Sequence, residues 1–241
     1  MNFKKIGILD DSIGGIKVLN SLKEIYTNEN FIYFADLKEY PYGLKKLSSE
    51  KLAKNSFENI SKEDLKLLVI TNPAISMSLK EEDIKIIDGI NRSIEKLNYK
   101  NSLVLGSKLS LNLLEKRLGF NIDKVDAQML INLATDGDKN YYIITKLISE
   151  YIKDKKEVIL FDSNLLLFKD YFLNYNKNLK VYSLEDFILE DVGDYLKDDL
   201  RHLASNRQKV KYYTSDYRIA FYKSAEEFFD DRFSSVKIFK E

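Results

Sequence analysis

Several short runs in this chain are apolar at successive positions, such as L-L-V-I at residues 67–70 and V-I-L-F at residues 158–161. A strand exposed on one face alternates apolar with polar; a continuous apolar run is a strand covered on both faces. Strands are read at residues 5–9, 31–34, 67–71, 102–105, 158–161, 179–182 and 210–213. Segments of helical period lie between them, as at Ile16, Leu19 and Leu22. Strands alternating with helices need crossover connections, and those give a mainly parallel sheet. The expected fold is α/β, in two doubly wound units.

A helical stretch is read from Glu82 to Leu97, and a fresh strand follows at Ser102. The domain boundary is therefore placed near residues 98–100. Another helix is read from Leu184 to Leu203, acidic early and carrying Arg201 and His202 late, as the helix dipole favours.

Charge narrows the range of partners. Lys plus Arg equal Asp plus Glu at 38 each, so no net field draws the chain to nucleic acid or to an anionic membrane. No apolar run reaches the ~20 residues of a bilayer span, and the N-terminus lacks a signal-peptide pattern, so a cytoplasmic protein is expected. With no cysteine and one histidine, His202, there is no disulfide framework and little for zinc. No cofactor is expected, and any metal would be a hard ion held by carboxylates.

Ligands of open α/β sheets bind beyond the carboxyl ends of strands. Four sets of residues stand there: Asp10, Asp11, Gly14 and Gly15; Asp36 with Pro41, Tyr42 and Gly43; Thr71, Asn72, Pro73 and Ala74; and Asp162, Ser163 and Asn164. The chain has two prolines, and both fall in these sets. Proline fixes φ and removes a donor, which marks these loops as shaped.

These motifs resemble those of glutamate racemase, in the cofactor-independent aspartate/glutamate racemase family. I-G-I-L-D-D-S-I-G-G is similar to that family's first strand and turn, Y-F-A-D-L-K-E-Y-P-Y-G to its second motif, and T-N-P-A and F-D-S-N to the two motifs that carry its cysteines. Y-Y-T-S-D resembles its closing strand, so the resemblance spans essentially the whole chain. It implies a two-domain α/β protein whose C-terminal segment returns to the first domain, so that the first domain is 1–99 plus 208–241 and the second 100–207, with the ligand cleft between them, an amino-acid ligand and, by analogy alone, a homodimer. In the family, one cysteine removes the Cα proton and the other returns one from the opposite face. The resemblance places Thr71 and Asp162 at those two positions, Asn164 at the family's histidine, and Asp11, Pro41, Tyr42, Gly43, Asn72, Pro73 and Ser163 around the ligand.

A hydroxyl needs an adjacent base to act near neutral pH, and Asp10 is the only obvious helper for Thr71. An ionised Asp162 is a weak base and repels a dianionic substrate by about 4 kcal/mol at ~4 Å and an effective dielectric near 20. Asn164 cannot shuttle a proton. The leading expectation is a glutamate racemase-like protein without racemase activity that keeps a small-ligand cleft. One alternative is an active isomerase supplying D-glutamate for peptidoglycan, working through Thr71, Asp10 and Asp162; another is a Mg²⁺ site on Asp10, Asp11 and Asp162. Plainer readings stand beside these: Asp162, Ser163 and Asn164 as helix caps, Asp10 and Asp11 as shapers of a turn, Thr71 as a satisfied strand-end hydroxyl, Tyr42 as packing, and His202 as a surface residue.

Overall fold

The computed structural model describes residues 4–45, 49–80, 82–196, 207–229 and 236–239. The first part of the chain runs β1 (Lys5–Asp10), α1 (Gly14–Ile25), β2 (Phe31–Ala35), α2 (Ser49–Ser61), β3 (Leu65–Ile70), α3 (Pro73–Ser76), β4 (Ile86–Ile87) and α4 (Ile90–Lys96). It continues with β5 (Leu103–Gly106), α5 (Lys108–Leu118), β6 (Asp123–Asp126), α6 (Gln128–Thr135), α7 (Tyr141–Ile152), β7 (Glu157–Phe161), α8 (Lys169–Tyr175), β8 (Lys180–Ser183) and α9 (Leu184–Tyr195). The last elements are β9 (Val210–Thr214), α10 (Ile219–Phe229) and β10 (Lys237–Ile238), and two short 3₁₀ segments occupy Tyr42–Leu44 and Ser163–Phe168.

Two separate sheets result, one of six strands in the order β10-β9-β2-β1-β3-β4 and one of four in the order β6-β5-β7-β8. Every described pairing is parallel. The fully apolar runs take the middle of each sheet: β1 and β3 pair side by side, as do β5 and β7, and all four are buried along almost their whole length. One core lies between the sheets, joining Ile8, Tyr33 and Val69 of the first to Val104, Ile159 and Phe161 of the second. Two further cores fill the outer faces of each sheet against their helices. Strands β9 and β10, from the end of the chain, belong to the first sheet.

The seven strands read from the sequence are all present, shifted by one or two residues at their ends. The helix expected from Glu82 to Leu97 is shorter. Residues 86–87 pair with β3 as a strand, and Gly89 turns into α4 at φ +70, a left-handed conformation that glycine adopts without steric cost. The helix expected from Leu184 ends at Tyr195. Arg201 and His202 lie outside the described residues.

One charged pair sits in the interior of the first sheet. Lys66 Nζ meets Glu29 Oε2 at 2.7 Å with both side chains 2–3% exposed. Elsewhere, ion pairs such as those of Arg92 with Glu190, Asp191 and Asp194 hold helices at the surface, where each contributes little.

Candidate functional site

The carboxyl ends of β1, β3 and β7 meet where the two sheets face each other. β1 delivers Asp10 and Asp11, β3 delivers Thr71 and Asn72, and β7 delivers Asp162, Ser163 and Asn164. None of these seven side chains belongs to a residue more than 4% exposed. The structure brings together the residues that the sequence singled out, and it shows what each one spends its hydrogen bonds on.

Asp10 shapes the turn after β1, since its Oδ1 accepts from the Ser12 N–H at 2.9 Å. Its other oxygen, Oδ2, takes the hydroxyl of Thr71. Asp11 points away toward the neighbouring loops, accepting from the Tyr42 N–H at 2.8 Å and from Asn72 Nδ2 at 2.8 Å. The Asn72 side-chain oxygen caps α3 by accepting from Ala74 N and Ile75 N, and Pro73 occupies the first helical turn, where its missing N–H leaves nothing unsatisfied. Gly43 and Tyr42 are buried, Pro41 is half-buried, and Gly43 lies against Ser107 at the start of α5. The Tyr42 hydroxyl reaches Asp36 Oδ2 at 2.9 Å and Ser56 Oγ at 2.7 Å. Tyr42 is therefore a packed strut of the first unit at its ring and hydroxyl, with only its backbone turned to the acids.

The second sheet contributes the closing contact. Asp162 Oδ1 accepts from the Asn164 N–H at 3.0 Å and caps the 3₁₀ segment that follows, as its plainer reading expects. The Asn164 side chain crosses the junction: its oxygen accepts from the Gly14 N–H at 3.1 Å and faces Ser12 Oγ at 2.8 Å, while its Nδ2 donates to Asp162 Oδ1 at 3.1 Å. The Gly14 donor fixes which end of the amide is oxygen. Gly14 itself leaves no room for a side chain, because a Cβ there would sit 2.3 Å from the Ser163 carbonyl carbon. Backbone from the two sheets is thus in direct contact at this point.

A proton count constrains the cluster further. The single hydroxyl hydrogen of Ser12 faces two acceptors, Asp10 Oδ1 at 3.1 Å and Asn164 Oδ1 at 2.8 Å. Thr71 repeats the conflict, lying against Asp10 Oδ2 and against the Leu9 carbonyl at 3.3 Å. A proton on Asp10 makes one of its oxygens a donor and resolves one conflict. Burial drives the same way: desolvation raises the Asp10 pKa against its hydrogen bonds from Thr71 and Ser12 and the nearby Ser163 hydroxyl. The Ser163 hydroxyl lies close enough to act on Asp10 yet outside hydrogen-bonding geometry with any partner. Asp11 is pushed well above the usual carboxylate range by burial first and then by Asp10, with Asp162 adding to it. Burial lifts Asp162 to about 7, and Asp10 pushes in the same direction.

Two sequence expectations change as a result. An Asp162 that titrates near 7 is largely protonated at mildly acidic pH, so the repulsion expected of an ionised acid is reduced. The hard-cation reading of Asp10, Asp11 and Asp162 finds no cluster to carry it: among the described residues no group of three or more His, Cys, Asp or Glu side chains is arranged to hold a metal ion. Ser12 was not singled out by the sequence, although its hydroxyl stands between Asp10 and Asn164; only its place in the D-D-S turn pointed to it. Nor were Tyr40, Thr135, Asp136 and Arg218, which line a cavity of about 120 Å³ reached from Ser12 and Ile13. No local sequence signal marks these four, which are scattered over three distant segments.

Among known proteins, glutamate racemase 3 of Caldanaerobacter subterraneus subsp. tengcongensis is 21% identical over 99% of this chain and 95% of its own length. The glutamate racemase of Thermoanaerobacter sp. is 27% identical over 98% of this chain and 97% of its own length. The crystal structure of glutamate racemase from Francisella tularensis in complex with D-glutamate superposes with a TM-score of 0.85 at 19% identity, covering 100% of this chain and 98% of that one. These relatives and structural neighbours support membership of the aspartate/glutamate racemase family. No protein-family model matches the chain. Its junction has no thiol available, since the chain contains no cysteine. Among the described residues no helix is long and apolar enough to cross a membrane.

Proposed function

We propose that this chain is a glutamate racemase-like protein that does not interconvert glutamate enantiomers, its strand-end cluster serving as a fixed joint between the two sheets. The Asn164 carboxamide carries this reading. It spends its oxygen on Ser12 and Gly14 of the first sheet's loop and its nitrogen on Asp162. Racemisation needs a carbon held between two proton-transfer groups, with reacting atoms about 3–3.5 Å away on either side. A chain of hydrogen bonds, with no link longer than 3.1 Å, runs from Asp10, the partner of Thr71, through Ser12 and Asn164 to Asp162, joining the two positions directly. The strand order supports the division into domains of 1–99 plus 208–241 and 100–207, since β9 and β10 pair with the first sheet.

The test is solvent exchange. Purified protein incubated with L-glutamate in D₂O should form no D-glutamate and place no deuterium at Cα, above the level of a Thr71→Ala, Asp162→Ala double variant. Turnover clearly above that variant would overturn the proposal. One observation favours the second reading, an active isomerase: the Thr71 hydroxyl is bonded to Asp10, an acid able to accept its proton. On that reading Thr71→Ala alone abolishes the exchange.

A further inference from the structure

The cavity at the mouth of the junction differs in kind from the cluster behind it. Its walls come from three parts of the chain: Tyr40 from the loop after β2, Thr135 and Asp136 from the end of α6, and Arg218 from the residue before α10. A hydrogen bond of 3.0 Å between the Tyr40 hydroxyl and Thr135 Oγ1 ties two of these walls together across the sheets. Ile13 and Leu37 make its floor apolar.

Arg218 lies with its guanidinium carbon 5.8 Å from the centre of the Tyr40 ring. A guanidinium stacked on an aromatic face keeps its N–H edge free and held in place. Among the described residues no carboxylate pairs with it, although Asp136 lines the same cavity and is itself without an ion-pair partner. One cation and one anion, Arg218 half-buried and Asp136 exposed, therefore stand around a common space without an ion pair between them. An apolar ligand would leave both charges unanswered, and a simple anion would face Asp136. The complement is a molecule bearing both signs.

We propose that this cavity binds a small zwitterionic amino acid, with its carboxylate on Arg218 and its ammonium on Asp136. The planar fork of Arg218 suits a carboxylate taken through two parallel N–H bonds. At about 120 Å³ the space equals about four waters of ~30 Å³ each, which suits a side chain the size of that of alanine or serine. The inference does not rest on the loss of racemisation, because Arg218 and Asp136, which meet the ligand's charges, lie outside the strand-end cluster.

Isothermal titration of the full chain with glycine, L-alanine, D-alanine and L-serine tests it, with propionate as the analogue lacking an ammonium. L-Alanine should bind, Arg218→Ala should weaken it by about tenfold or more, and Arg218→Lys should restore only part of that loss. Asp136→Asn should weaken L-alanine by about tenfold while leaving propionate unchanged. A Thr71→Ala, Asp162→Ala double variant, which tests the strand-end cluster, should bind L-alanine as the parent does. Thermal melts that match the parent establish that the Arg218 and Asp136 variants are folded. No binding by any of the four amino acids overturns the proposal, as does an affinity indifferent to Arg218→Ala. Glutamate binding more tightly than alanine and vanishing in the double variant would place the ligand in the strand-end cluster instead, and overturn it equally.

Discussion

Two groups of buried acids in this protein are treated in opposite ways. Glu29 meets Lys66 at 2.7 Å, a carboxylate held in the interior beside its own cation. Asp10, Asp11 and Asp162 share the sheet junction with hydroxyls, amides and one another, and the charges that act most strongly on Asp11 are the other two acids. A charge in the interior is tolerated when an opposite charge and hydrogen bonds replace its water. Where only neutral donors are supplied, a carboxyl takes up a proton instead. The first arrangement fixes a charge; the second makes the junction sensitive to pH.

The comparison breaks most visibly at the ion pair. Lys66→Met removes the cation that faces the buried Glu29 carboxylate, at an expected loss of about 3–5 kcal/mol in chemical denaturation. Adding Glu29→Leu should restore much of it; a double variant no more stable than Lys66→Met would show that the two groups are not energetically joined.

Next comes pH. The folded pKa of Asp162 is raised to about 7 from an ordinary 3.8, so it contributes stability that is fully present below ~4 and lost as pH rises through about 7. Between pH ~5 and pH ~8 this amounts to about 3 kcal/mol, with Asp10 and Asp11 acting in the same direction. Glu63, Glu115 and Glu190, whose pKa values are lowered by lysine partners at or near the surface, oppose this only in more acidic solution. Unfolding midpoints should therefore fall from pH ~5 to pH ~8, and Asp162→Asn, which keeps the acceptor oxygen, should flatten the fall. A midpoint that rises across this window contradicts the assignment.

Asn164→Ala sharpens the picture at the joint. It strips the Gly14 N–H, the Ser12 hydroxyl and Asp162 of one partner each, at about 2–3 kcal/mol. Amide exchange should accelerate at Gly14 in particular. Smallest is Thr71→Val, which removes one donor from Asp10 at about 1 kcal/mol and relieves the crowding of acceptors around that hydroxyl. Because the lost bond favours the ionised acid, the variant should lose stability more steeply than the parent as pH rises.

The centre of the fold was legible because burial on two faces writes itself as an unbroken apolar run, as in β3 and β7. The edges were not. β6, D-K-V-D, is an outer strand with two exposed residues, and its charges hide it from any hydrophobic pattern. β4 and β10 are two residues each, too short to show a period, and β4 was absorbed into the helix expected from Glu82. At the site, strand-end position foretold that Asp10, Thr71 and Asp162 converge. Their protonation was not foretold, since it depends on which neighbours face them, and Ser12 and Asn164 meet each other across 152 residues of sequence.

The seating of β9 between β2 and β10 has a consequence for biosynthesis. All four strands of the smaller sheet leave the ribosome before residue 210 does, so that sheet is able to close while the larger one is still missing its side. Until Val210–Thr214 arrive, the outer backbone amides and carbonyls of β2 stay unpaired, an adhesive border open to any other extended chain nearby. A translation product stopped short of β9 keeps that border exposed.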